Sequence, residues 1–285
     1  MRKCRAVFFV IALIGVTLAT IANVRAQTGQ TSIRVSGADS MFGRVNILSK
    51  LFMKNNPGTK IEIVEGSLVE AGIAELIDLK ADVAMASRSI TEVENRLAGE
   101  RGVKIVEHLQ GYGGIVIITH PENPVSELSM EQVRKLFKGE YTRWDQVGGR
   151  AEPITVVRTD ETHPGTLLFM EDEILGKSPF TKSAVVLQRF PGVMTRVAKT
   201  PGAIGYVRIR DAFESKREVR NSIKALNIKK QPSLHAVAPS RETITDGSYP
   251  IKRPYYLYNN AKAGTEVRKY VDFLVSKGWG PSQDL

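Results

Sequence analysis

The chain has 285 residues, 42% of them hydrophobic and 25% charged, enough apolar material for a substantial core and for one large or two medium domains. Its formal charge of +10 becomes +6 without the first 26 residues, where Arg2, Lys3, Arg5 and Arg25 meet no acid, so that 36 basic residues face 30 acidic ones. The basic residues are interspersed with acids and form no long block, which argues against nucleic acid as a partner and suits a small anionic ligand.

In chain order, Arg2, Lys3 and Arg5 precede an apolar run from Ala6 to Val16, and Val24-Arg25-Ala26 has the small-residue pattern of a signal-peptidase site. The run is shorter than the roughly 20 residues of a spanning helix. Residues 1–26 therefore read as a cleaved export signal, with the mature chain beginning at Gln27 outside the cytoplasm. Cys4, the single cysteine, departs with this segment and leaves no disulfide.

The β-branched runs Ser32 to Val35 and Lys60 to Val64 predict strands, as do Ile115 to Thr119 and Ile154 to Val157. Between them, Val45, Leu48, Leu51 and Phe52 recur at helical spacing, as do Val69, Ile73, Leu76 and Ile77, and then Met130, Val133, Leu136 and Phe137. Thr91-Glu92-Val93-Glu94 and Ser129-Met130-Glu131-Gln132 are capping boxes that mark helix starts. A last helix carries Val267, Tyr270, Val271 and Leu274 on one face and stops near Gly278. The alternation implies an α/β fold with mainly parallel sheets. No Pro-rich or Gly-rich linker separates two consecutive domains.

Three junctions join a glycine to a hydroxyl: Gly37-Ala38-Asp39-Ser40, Glu65-Gly66-Ser67, and His163-Pro164-Gly165-Thr166 after the strand ending near Arg158. Helix starts leave N–H groups unpaired at the positive end of the dipole, where an oxyanion can bind. The same residues are ordinary N-caps in any α/β protein, and each junction alone fits both readings. Ala81-Asp82-Val83-Ala84-Met85-Ala86-Ser87-Arg88 ends a strand-like run in a hydroxyl and a guanidinium, suited to an oxyanion or to a surface ion pair. His108, His120, His163 and His235 lack metal-ligand spacing, and no nucleophile-base motif stands out, so ligand binding rather than enzyme chemistry is expected.

Together with Pro121-Glu122-Asn123-Pro124-Val125, Phe137-Lys138-Gly139-Glu140, Pro201-Gly202-Ala203-Ile204-Gly205-Tyr206-Val207 and Pro250-Ile251-Lys252-Arg253-Pro254, the Ser36-Gly37-Ala38-Asp39-Ser40 and Ala86-Ser87-Arg88 segments resemble the periplasmic phosphate-binding proteins of ABC importers. The resemblance runs over nearly the whole mature chain. It implies a two-lobed Venus-flytrap α/β fold, each lobe a mainly parallel sheet flanked by helices. Residues 31–119 and 250–285 would form the first lobe and 120–249 the second, with the ligand in the cleft. It also implies a periplasmic monomer that needs no cofactor and hands inorganic phosphate, or a similar oxyanion, to an ABC permease in the inner membrane. A non-transport sensor of another oxyanion is the alternative on the same fold.

Carried over by position, Ser40 and Met41 would supply hydroxyl and backbone donors, and Ser67 would cap its helix toward the ligand. Ser87 and Arg88 would bind from a strand end, while Gly165 and Thr166 would reach across from the second lobe. The chain departs from the family in three ways. Pro164 stands where relatives carry a serine, Arg158 differs in its spacing to Thr166 from the family's arginine, and Ser87 stands where some relatives carry an aspartate. His163 either replaces the donor lost at Pro164 or points to solvent from the rim.

Overall fold

The computed structural model describes residues 30–160, 164–213 and 220–278. The expected export signal and His163 lie outside these residues.

The first lobe opens with β1 (Thr31–Gly37), α1 (Asp39–Asn55), β2 (Thr59–Ile63), α2 (Val69–Ile77), β3 (Val83–Ala86) and α3 (Glu92–Glu100). β1 lies between β2 and β3 and is parallel to both, so α1 and α2 are the crossovers that such a sheet requires. All four residues of β3 are buried because both faces of the sheet are covered. Ile33, Val35, Val45, Phe52 and Val271 pack on one face, and Ile73, Leu76, Ala86 and Ala98 on the other. Val45, Leu48 and Phe52 of the expected α1 stripe are buried, but Leu51 is 42% exposed at the stripe's edge. Thr91 and Glu94 make both reciprocal bonds of the capping box at α3.

A 15-residue strand, β4 (Ile105–Thr119), carries the chain into the second lobe. There follow β5 (Glu127–Ser129), α4 (Met130–Lys138), β6 (Thr155–Thr159), α5 (Pro164–Phe169), β7 (Val185–Leu187), α6 (Phe190–Ala198), β8 (Ala203–Arg208), α7 (Ile209–Ala212), β9 (Lys224–Ala225), β10 (Asn227–Lys229) and α8 (Arg241–Thr245). β6 is parallel to both β7 and β8. Ser129 and Gln132 complete the second capping box at α4. Phe137, Trp144, Val157, Phe190 and Tyr206 centre this lobe's core, and the Trp144 indole donates to the Gly202 carbonyl at 2.9 Å.

The return strand β11 (Lys252–Asn260) runs antiparallel to β4 and to β3, and α9 (Thr265–Lys277) closes the first core. The sheet order β2-β1-β3-β11-β4-β8-β6-β7 makes β4 and β11 the strands common to both lobes. Ile115 to Ile118 belong to the second core, with Tyr249 and Ile251. β4 therefore contributes Ile115 to Ile118 to the second core, and a continuous strand lets two cores share its length.

Candidate functional site

Two cavities adjoin between the lobes, and Ser40 lines both. The smaller, about 90 Å³, gathers Ser40, Ser67, Ser87, Arg88 and Gly165 from separate segments, together with the acids Asp39, Glu70, Asp172 and Glu173. The larger, about 460 Å³, is lined by Thr166 and by Arg44, Arg208, Arg210, Arg241 and Arg253.

The hydroxyl wall is held by backbone bonds between neighbouring loops. Gly37 turns the chain at φ 116°, and a side chain there would meet the Met85 carbonyl at 2.1 Å. The turn lets the Ala38 N–H donate to that same carbonyl at 2.8 Å, and the Asp39 N–H donate to the Ser67 carbonyl at 3.1 Å. On the far side, Gly72 of α2 sits against Gly37 so closely that a Cβ would lie 2.4 Å from the Gly37 Cα. Ser36 and Ser67 join hydroxyl to hydroxyl at 3.2 Å. The Ser40 Oγ, in the first turn of α1, is buried and has no partner among the described residues.

Several positions depart from expectation. The Met41 N–H donates to the Ala38 carbonyl at 2.8 Å and the side chain is wholly buried in the first core, so Met41 offers no free backbone donor. Ser67 does not cap α2: Leu68 occupies the cap position without a side-chain bond, and Ser67 turns to Ser36 instead. Arg88 lines the smaller cavity but spends its fork on protein carboxylates, with Glu94 at 2.8 and 2.9 Å and Glu70 at 3.0 and 3.3 Å. These bonds, Glu94 first, hold its guanidinium charge more firmly than in water. Arg158, on β6, lines neither cavity. Its Nη1 donates to the Thr159 carbonyl at 2.8 Å and its guanidinium lies 5.8 Å from the Phe180 ring.

The arginine wall was not anticipated. Arg253 is 2% exposed, donates from Nη1 to the Gly165 carbonyl at 2.7 Å, and lies within 5.6 Å of the Phe169 and Tyr255 rings. Arg208 pairs with Asp211 at 2.5 and 3.2 Å and covers the Phe190 ring at 4.4 Å. These residues come from four distant parts of the chain, so no local spacing signals them. Arg253 does fall within a family-like motif, the one clue the chain offered.

Two α/β lobes joined by shared strands around a cleft of donors define a bilobal solute-binding protein. Residues 23–277 match the PBP superfamily domain, and the chain belongs to that family. A protein of Borreliella burgdorferi named phosphate-binding protein PstS is 27% identical over 277 residues, 94% of this chain and 92% of the other. One of the same name from Bacillus subtilis is 23% identical over 246 residues, 86% of this chain and 76% of the other. An ABC-type phosphate transport receptor from Vibrio cholerae superposes with a TM-score of 0.71 at 26% identity, over 85% of this chain and 93% of the other.

Proposed function

We propose that the chain is an exported solute-binding protein that captures inorganic phosphate between its lobes and delivers it to an ABC permease in the inner membrane. The likeness to phosphate receptors along most of the chain supports this reading. The observation that carries it is the Ser40 hydroxyl, buried at the mouth of α1 with no partner among the described residues while bordering the cleft. A phosphate oxygen supplies the missing acceptor, and the positive end of the 17-residue α1 favours its charge. Ser67 and Ser87 add hydroxyls, and Gly165 faces them from the second lobe.

The four carboxylates on this wall bear on selectivity. Hydrogen phosphate carries a proton that a carboxylate can accept, whereas sulfate at neutral pH has none and is repelled. A ligand contacted from both lobes favours the closed form, since only that form makes every contact, and closure presents a new surface to the permease. The role is capture and release, with no bond made or broken.

The test is calorimetric titration of ligand-stripped protein, residues 27–285, with phosphate and sulfate. Phosphate is expected to bind one to one with micromolar or tighter affinity, about −8 kcal/mol or better, and sulfate at least about a hundredfold more weakly, a difference of about 2.7 kcal/mol. No heat and no thermal shift at millimolar phosphate would overturn the reading.

A further inference from the structure

The larger cavity is out of proportion to a five-atom oxyanion. Its volume of about 460 Å³ falls in the range of sites for small organic molecules. Five arginines line it, and no acid does so among the described residues. Arg208 meets the carboxylate of Asp211. Arg44 donates to the Lys277 and Gly278 carbonyls. Arg210 and Arg241 make no hydrogen bond or ion pair among the described residues.

Arg253 supplies an independent sign. At 2% exposure its Nε is buried with no acceptor among the described residues, although its Nη1 reaches the Gly165 carbonyl. A buried guanidinium N–H without an acceptor is costly unless something fills the space beside it. Burial, and then the nearby Arg208 charge, lower the Arg210 pKa more than the smaller opposing effects of Asp211, Tyr255 and Asp39 raise it, so an added anion beside these residues would be favoured. Beside the hydroxyls of Ser40, Thr166 and Thr245, the wall carries an apolar part with Ile47, Ile209 and Ile244.

We propose that this cavity is a second anion-binding compartment that takes a small organic phosphate, its dianionic head on Arg210, Arg241 and Arg253 and its apolar body on Ile47, Ile209 and Ile244. A phosphate monoester offers three terminal oxygens to guanidinium forks arriving from different elements, which a carboxylate cannot match. Because Ser40 borders both compartments, organic phosphate and inorganic phosphate compete. The compartment does not depend on capture of inorganic phosphate, and its test is separable from that one.

The probe is phenyl phosphate, titrated into wild type, the double variant Arg210→Gln/Arg241→Gln and its lysine counterpart. Wild type is expected to bind it one to one, the glutamine variant at least about fivefold more weakly and the lysine variant in between, with melting temperatures alike because neither arginine bonds a side chain or carbonyl among the described residues. Inorganic phosphate affinity should stay within about threefold across the three proteins. Absence of phenyl phosphate binding to wild type at millimolar concentration, a loss below fivefold in the glutamine variant, or equal losses for both ligands would overturn the proposal. Should inorganic phosphate fail to bind while phenyl phosphate shows the expected loss, the transport reading falls and this one stands.

Discussion

Arg88 grips the carboxylate of Glu94 with two parallel bonds, Nη1 to Oε2 at 2.9 Å and Nη2 to Oε1 at 2.8 Å. The same carboxylate receives the Thr91 N–H at 2.8 Å in the capping box, so the pair ties the end of β3 to the start of α3. Arg88 is therefore a structural clamp at the cleft edge, its charge already met. Arg88→Ala should cost about 1–2 kcal/mol, toward the low end for charged bonds because both side chains keep some solvent, and lower the melting temperature by about 3–6 °C. Its effect on phosphate affinity should be smaller than that of Ser40→Ala. Thermal melting and titration of both variants check this, and a binding loss in Arg88→Ala without a drop in melting temperature would return Arg88 to the ligand.

The clamp also predicts an acid-sensitive contribution. Burial raises the Glu94 pKa, but the bonds from Arg88 and Thr91 outweigh it and hold the carboxyl below its ordinary value. The folded pKa lies below the unfolded one, so the stabilisation is full above about pH 4.3 and is lost as pH falls through the folded value. Denaturation of wild type and Glu94→Gln from pH 7 to pH 3 should show a gap that narrows below about pH 4. A gap constant across that range would refute the assignment.

Gly72→Ala tests the backing of the hydroxyl wall. A methyl group there would sit 2.4 Å from the Gly37 Cα and 2.8 Å from the Ser36 carbonyl, backbone atoms that cannot swing aside. The variant should lose about 1–3 kcal/mol, as overpacked sites do, and weaken phosphate binding by moving the Gly37 turn that leads to Ser40. Gly99→Ala in α3 is the control: its added methyl meets open space and should gain up to about 1 kcal/mol in helix propensity. Urea midpoints for both variants distinguish packing from propensity.

Legibility in the sequence followed the range of each interaction. The capping boxes at Thr91 and Ser129 span three residues, and the stripe of Val45, Leu48 and Phe52 follows from helix period alone, so both could be read directly. Leu51 marks the limit of that reading, because period gives a stripe and only its neighbours decide the edge. Arg88 was read as a ligand or an ion pair, and what decides between them is Glu70, 18 residues away on α2. Ser67 has the composition of a cap, but its hydroxyl finds Ser36 across the sheet. The arginine wall is the extreme case, since Arg44, Arg208, Arg241 and Arg253 converge only when both lobes are assembled.

The hydroxyl pair Ser49 and Tyr270, 2.6 Å apart, docks α9 on α1, with the Tyr270 ring edge-on to Phe52 at 5.2 Å between centroids. The Ser49 hydroxyl also lies 2.6 Å from the Val45 carbonyl, so it keeps a partner when the phenol is removed. Tyr270→Phe should therefore cost only about 1 kcal/mol, whereas Tyr270→Ala should cost about 3–5 kcal/mol through the cavity it leaves. Equal losses in chemical denaturation would mean that the hydroxyl, not the ring, anchors the helix.

Ser40→Ala separates stability from binding by sign. The Ser40 Oγ is buried with no partner among the described residues, so its removal breaks no bond to them, and alanine is the better helix former at the second position of α1. Stability should hold or rise by about 0.5 kcal/mol. In the complex the same hydroxyl donates to a charged oxygen, a bond worth about 1.5–3 kcal/mol, which is about 10- to 150-fold in affinity. A purely structural serine would lower both quantities together, and a bystander would change neither. Higher melting temperature with weaker phosphate binding, measured on the same preparation, is the outcome that locates the anion at the start of α1.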